Sequence, residues 1–77
     1  MKVILYSGKN CHLCDQAVEL LQQVRPQLLP STEKIDVATD HQLYHLYGAR
    51  IPVLKRADNE AELGWPFDEV QLTEFLS

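Results

Sequence analysis

Two cysteines carry the strongest chemical signal in this chain. Cys11 and Cys14 are its only cysteines, and they are three residues apart. Residues three apart on a helix lie on one face, one turn apart, so the two sulfur atoms can reach each other and form a disulfide reversibly. Such a pair suits three roles: a structural disulfide, two ligands of a metal site, or a redox-active dithiol.

The first two roles fit the sequence less well than the third. A disulfide across one helical turn closes a very short loop, which is worth only about 2 kcal/mol of stability, and a reducing compartment would tend to keep it open. A tetrahedral zinc site needs four ligands. His41 and His45 could add two imidazoles from one helix face, but the spacings are not those of a zinc finger.

A redox role explains where the pair lies along the chain. The apolar, strand-forming run at residues 3–6 is followed by turn residues, and helical periodicity begins at Cys11. We therefore expect Cys11 near the free N–H groups and the positive dipole end of a helix, which favour the thiolate. A thiol with a pKa near 8.5 is about 3% ionised at pH 7, whereas one with a pKa near 6 is about 90% ionised.

Neighbouring charges act on the same thiol. Lys9 and a protonated His12 would lower the pKa of Cys11, and Asp15, four residues further along the same helix face, would raise it. Cys14 lies one turn inside the helix, so we expect it to be shielded and less acidic. We predict that Cys11 attacks a disulfide and that Cys14 then resolves the mixed disulfide.

Apolar periodicity predicts the elements that position this pair, in the order β-α-β-α-β-β-α. The strands are expected at residues 3–6, around 35–37, at 53–56 and at 61–63, and the helices from residue 11 to 25, from 41 to 47 and from 68 onwards. Asn10 is a candidate N-cap of the first helix, with Leu13 in its buried stripe, and a loop is expected between Pro26 and Pro30. The result is a small α/β layer structure.

The start of the last predicted helix has a strong capping signal. Asp68 and Gln71 have the spacing of a capping box, and Phe67 and Leu72 have that of a hydrophobic staple. This helix should therefore begin at Asp68 and turn Leu72 toward the core.

These features together resemble the glutaredoxin-like family of the thioredoxin fold. The resemblance lies in the order of elements, in Cys11-His12-Leu13-Cys14 after a strand, and in Ile51-Pro52-Val53 before a later one; the C-x-L-C variant is similar to a subgroup of short bacterial glutaredoxin-like proteins. It implies one domain over residues 1–77, with a four-stranded mixed sheet flanked by three helices. It also implies that Pro52 is cis and faces the cysteines, and that the Ile51 backbone pairs with glutathione or an extended thiol substrate.

The positions that bind glutathione depart from the usual family pattern. Glutaredoxins usually carry a lysine three residues before the first cysteine, where this chain has Gly8, with Lys9 one step nearer. The usual Gly-Gly-x-Asp is replaced by residues 64–68, in which Asp68 would still offer a helix N-terminus to a carboxylate. The candidate catalytic residues are Cys11 and Cys14, and the candidate substrate- or glutathione-binding residues are Lys9, His12, Ile51, Pro52 and Asp68, with no metal ligands.

Composition narrows the class of partner. Seven basic and eleven acidic residues give a net charge of −4, which argues against a general binder of nucleic acid or of an anionic membrane. Residues 58–77 contain six acidic residues and no basic one. No apolar run approaches the roughly 20 residues of a membrane span, and the N-terminal run is too short for a signal-peptide core, which predicts a cytoplasmic protein.

The sequence thus predicts a small thiol–disulfide oxidoreductase. It would act as a monomer on disulfides of proteins or small molecules, without a bound cofactor. Glutathione, as a co-substrate, or a thioredoxin-type reductase would recycle it. Two alternatives from other classes stay open: a thioredoxin-fold module that holds a metal or an iron–sulfur cluster, and a partner-binding adapter with no redox cycle.

Overall fold

Four strands and three α-helices follow one another in the predicted order. The computed structural model describes residues 1–77. Its elements are β1 (Val3–Ser7), α1 (His12–Val24), β2 (Thr32–Asp36), α2 (His41–Tyr47), β3 (Val53–Arg56), β4 (Glu62–Gly64) and α3 (Glu69–Phe75). Two short 3₁₀ helices, Pro26–Ser31 and Val37–Thr39, link α1 to β2 and β2 to α2. No helix has the length and apolarity that a membrane crossing requires.

The strands form one mixed sheet in the order β2-β1-β3-β4. β1 is parallel to β2, whereas β3 is antiparallel to both β1 and β4. β1 is a central strand, and four of its five residues are buried. Its continuous apolar sequence is therefore explained by coverage of the sheet on both faces.

Side chains of β1 alternate between two buried clusters on the two faces of the sheet. The larger cluster includes Val3 and Leu5 together with residues of α1 and α3. The smaller cluster includes Tyr6 together with Val37 and Tyr47, the latter from α2. The protein thus has three layers, with α1 and α3 on one face of the sheet and α2 on the other.

The start of α1 differs from the prediction in one residue. The N-cap is Cys11, not Asn10. Asn10 instead turns the chain with a φ of 55°, a left-handed conformation that asparagine tolerates better than most residues. Leu13 was predicted to be buried and is exposed, because the face of α1 that meets the sheet begins at Cys14 and continues through Ala17.

Three connections also differ from the prediction. Residues 26–31 form a 3₁₀ helix and not a loop, because proline is tolerated in a first helical turn and its fixed φ suits this conformation. Val37 lies in the second 3₁₀ helix and not in β2, since the Asp36 carboxylate accepts a hydrogen bond from the Ala38 N–H at 2.9 Å and ends the strand. β4 begins at Glu62, one residue later than expected.

Side chains satisfy the backbone at both ends of α3. The predicted capping box is present: the Gln71 N–H donates to the Asp68 carboxylate at 2.8 Å, and the Asp68 N–H donates to the Gln71 side chain at 3.0 Å. At the other end, Arg56 donates to the carbonyls of Phe75 and Ser77, both at 2.8 Å. Terminal carbonyls of a helix lack partners within the helix, so Arg56 joins the end of β3 to the end of α3.

Two residues of α3 test the assignment of its buried face. Leu72 is 0% exposed and Val70 is 65% exposed. We expect Leu72→Ala to lower the free energy of unfolding by about 2–5 kcal/mol, because it leaves a cavity in the core. Val70→Ala should change it by less than about 0.5 kcal/mol. Urea unfolding of both variants, with the disulfide in one fixed state, measures the difference, and equal effects would contradict the assignment.

Candidate functional site

Cys11 and Cys14 form a disulfide at the start of α1. Their Cα atoms are 5.2 Å apart, a normal separation for a disulfide. The two sulfur positions differ in access: Cys14 is only 1% exposed, whereas Cys11 is partly exposed. An incoming molecule can therefore approach Cys11, while Cys14 is shielded behind it.

The Sγ atom of Cys11 acts as the N-cap acceptor of α1. The backbone N–H of Cys14 donates to this sulfur at 3.1 Å, in the position where a Ser, Asp or Asn oxygen usually accepts. α1 has 13 residues, so the positive end of its dipole also acts on the sulfur. In the reduced protein, both effects would favour the thiolate of Cys11 over its thiol.

The segment that contains Pro52 lies beside the turn that leads to the cysteines. The register of β1 and β3 pairs Tyr6 with Val53, and two further steps along it place Gly8 opposite Ile51. A Cβ atom on Gly8 would lie 2.8 Å from Cδ1 of Ile51, which shows how closely the two segments approach. The Ile51–Pro52 peptide bond is cis, as the family resemblance implies, and Pro52 is buried.

Two of the remaining candidate residues, Lys9 and Asp68, line separate clefts. Lys9 is exposed in the turn before α1 and lines a cleft of about 340 Å³ together with Ile51. Asp68, the N-cap of α3, lines another cleft of about 390 Å³ together with residues of α1. His12 is exposed as the first residue of α1. The structure thus brings Lys9 and Ile51 together but places Asp68 apart from them.

The cleft at Asp68 is acidic. Its charged lining residues are Glu19, Asp68 and Glu69, and it contains no basic residue. The Asp68 carboxylate already accepts a hydrogen bond from the helix it caps. A carboxylate ligand in this cleft would meet charges of its own sign, which is unfavourable.

The cysteines and histidines do not assemble into a metal site. No group of three or more His, Cys, Asp or Glu side chains in the chain is placed to hold a metal ion. His41 and His45 are both exposed on α2. The hypothesis of a zinc site with two thiolates and two imidazoles therefore lacks its ligand set.

Comparison with protein families agrees with the geometry. A family model described as "Glutaredoxin-like domain (DUF836)" matches residues 2–77. The chain belongs to this glutaredoxin-like family. Comparison with curated proteins gives no match.

Solved structures share the glutaredoxin-like fold along nearly the whole chain. The crystal structure of XcR50 from X. campestris is 40% identical with a TM-score of 0.84, and covers 96% of this chain and 93% of its own. The solution structure of the same protein is 41% identical with a TM-score of 0.83, over 99% and 92%. The solution structure of Ne2328 from Nitrosomonas europaea is 27% identical with a TM-score of 0.81, over 99% and 91%.

A tyrosine network that sequence reasoning missed supports the Ile51 segment of this glutaredoxin-like site. The ring of buried Tyr47, in α2, stacks on Tyr6 of β1 with centroids 4.2 Å apart. Its hydroxyl donates to the carboxylate of Glu62, in β4, at 2.6 Å, and the Arg50 guanidinium lies 5.1 Å from its ring centroid. The network ties α2 to the sheet immediately before Ile51. Tyr6 and Glu62 are distant from Tyr47 in sequence, so no local pattern reveals these two contacts.

Glu62 controls the ionisation of Tyr47. The hydrogen bond to Glu62, and then burial, raise the pKa of Tyr47 from 10.0 to about 12. Because the folded pKa lies above the ordinary value, the phenol's contribution to stability is complete below pH 10 and is lost as the pH rises toward 12.

We expect Glu62→Gln to move the pKa of Tyr47 down toward 10, because an amide accepts the phenol's hydrogen bond less strongly than a carboxylate, can turn its own N–H toward the tyrosinate, and no longer opposes the tyrosinate charge. Ultraviolet absorbance of tyrosinate across an alkaline titration measures the shift. Tyr47→Phe serves as the control. The titration step that disappears in this variant belongs to Tyr47, and this is the step to compare between the wild-type protein and Glu62→Gln. An unchanged midpoint in Glu62→Gln would show that the carboxylate is not the cause.

Proposed function

We propose that this protein is a small thiol–disulfide oxidoreductase that uses Cys11 and Cys14. The observation that carries the proposal is the arrangement of the pair: one partly exposed sulfur that accepts a backbone N–H at a helix start, and one buried sulfur bonded to it. This is the asymmetry that attack and release require, because the attacking sulfur needs access and the thiolate form. Membership of the glutaredoxin-like family supports the same chemistry.

The reaction transfers two electrons from the dithiol to a substrate disulfide. The Cys11 thiolate attacks one substrate sulfur, an S–S bond forms between them, and the second substrate sulfur leaves as a thiolate that takes up a proton. The Cys14 thiol then loses its proton and attacks the Sγ of Cys11, which releases the first substrate sulfur as a thiol. The protein ends as the Cys11–Cys14 disulfide, and the substrate disulfide has become two thiols.

The residues around the pair orient the substrate in this proposal. The Ile51 backbone would pair with an extended substrate segment, as in strand addition to a sheet, with Pro52 fixing the end of that segment. Lys9 and His12 would favour the Cys11 thiolate and contact the substrate. Asp68, at the start of α3, would contribute to substrate binding. Its acidic surroundings suit a cationic or neutral group of the substrate better than a carboxylate.

Turnover needs a reductant for the oxidised pair. Two molecules of glutathione or the dithiol of a thioredoxin-type reductase can supply the two electrons by the reverse exchange. In this proposal the protein binds no further cofactor and acts as a monomer in a reducing compartment such as the cytoplasm, on protein or small-molecule disulfides.

Single cysteine variants test the assigned roles. We expect Cys11→Ser to reduce a small disulfide no faster than buffer with the same thiol reductant, because the exposed nucleophile is gone. Cys14→Ser should still attack but should stop at the mixed disulfide, which mass spectrometry of the intact protein detects. Full activity of Cys11→Ser would overturn the assignment of roles. In a separate assay, omission of glutathione shows whether glutathione is the reductant.

The ionisation of Cys11 gives an independent test. In the Cys14→Ser variant, we expect the pKa of Cys11 to lie below the usual value of about 8.5, because the helix start favours the thiolate. The pH dependence of alkylation by iodoacetamide measures it. A chemically unfolded sample of the same variant is the control, and equal pKa values in the two states would remove the physical basis of the mechanism.

A further inference from the structure

The cleft that contains Ile51 lies at the carboxyl ends of the parallel strands β1 and β2. Ligands of open α/β sheets commonly bind outside the carboxyl ends of the strands. The cleft measures about 340 Å³ and is lined by the turn after β1, the connection after β2 and α2. Lys9, two residues before Cys11 in the sequence, lines it too, so one wall of the cleft is the turn that leads to the proposed reaction site.

The lining of this cleft is apolar in its interior and balanced in charge. Val37 is buried and Ile51 partly buried, and both contribute apolar surface. Tyr44 forms another part of the lining, although 60% of it is exposed. Lys9 and Asp36 contribute one charge of each sign. The cleft therefore suits an uncharged, apolar group better than an anion.

A substrate that pairs with the Ile51 backbone would pass this cleft. In an extended segment, neighbouring side chains point to opposite sides, so a residue next to the substrate cysteine can point toward Ile51 and Tyr44. Recognition by strand addition obtains its specificity from pockets of this kind, which accept alternate side chains.

Glutathione has no apolar side chain to place in such a cleft. On one side of its cysteine it has glycine, which has no side chain, and on the other side a γ-linked glutamate with a charged end. The second cleft, at Asp68, has only acidic charged residues and is unfavourable for its carboxylates. A polypeptide with an apolar residue beside its cysteine satisfies both features.

We propose that this cleft, with Tyr44 as its main specificity residue, binds an apolar side chain adjacent to the cysteine of a polypeptide disulfide, so that the protein prefers polypeptide disulfides to those of glutathione. The proposal rests on the proposed function, because it concerns the substrate of the same cysteine pair. An exposed aromatic ring is well suited to this role, since it offers a large contact area with few rotatable bonds.

Matched substrates isolate the effect of the cleft. Each is a mixed disulfide with thionitrobenzoate, whose release is coloured, so that attack on the other sulfur leaves the peptide or glutathione on Cys11. The first substrate is a peptide with leucine beside its cysteine, made in two versions with the leucine before or after the cysteine. The second is the same peptide with glycine in place of that leucine. The third is the glutathione derivative. The reduced protein is mixed with each substrate, and the second-order rate constant of thionitrobenzoate release is measured.

We expect the wild-type protein to favour the leucine peptide over the glycine peptide by about five- to twentyfold on at least one side of the cysteine, and over the glutathione derivative at least as strongly. Tyr44→Ala should reduce the leucine preference to less than about twofold and leave the rate with the glutathione derivative unchanged. Tyr44→Phe, which keeps the ring, should keep the preference. Leu46→Ala is the matched control, because Leu46 is 57% exposed on the same helix but does not line this cleft.

The outcomes separate this inference from the proposed function. Equal rates for the leucine and glycine peptides, a preference that survives Tyr44→Ala, or a wild-type preference for the glutathione derivative would overturn the role of the cleft while leaving the oxidoreductase intact. If the reduced protein reacts with none of the substrates faster than the Cys11→Ser variant does, the proposed oxidoreductase function itself is overturned.

Discussion

The hydrogen bond from the Cys14 N–H to the Cys11 sulfur is the contact on which the proposed chemistry of this protein depends. It exists because α1 begins immediately after Cys11, and α1 begins there because β1 ends at Ser7 and a turn through Asn10 redirects the chain. One sulfur thereby becomes the cap of a helix, and the other is packed one turn inside it. A shift of the helix start by one residue would separate the sulfur from its donor and leave two ordinary cysteines on a helix surface.

The sheet determines which segments lie next to the start of α1. Because β1 is central, its C-terminal end lies between the end of β2 and the start of β3, and the Ile51 segment is held against the turn before α1. On the opposite face from α1, the stack of Tyr6 and Tyr47 attaches α2 to the sheet immediately before that segment. The cysteine pair and the Ile51 segment are thus held by different layers of the protein, and they approach each other at this edge of the sheet.

Local patterns were sufficient to predict the order of elements, the capping box at Asp68 and the position of the cysteines at a helix start, because each depends on neighbours within four residues. The prediction failed where two local solutions compete: Asn10 can either cap a helix or make a left-handed turn. It also missed the contacts of Tyr47 with Glu62 and the cleft at Tyr44, since both join residues that come together only in the folded sheet. Sequence reasoning therefore located the cysteine pair but not the surface around it.

The close approach of Gly8 to Ile51 has a consequence for how such sequences can diverge. Position 8 is where glutaredoxins usually carry lysine, and here any side chain would press on the terminal methyl group of Ile51. A lysine at this position therefore requires Ile51 to change its rotamer or to be replaced by a smaller residue. The two positions are coupled: the effect of changing one depends on which residue occupies the other, so a lysine at position 8 is expected to disturb the fold less when the residue before the proline is smaller than isoleucine.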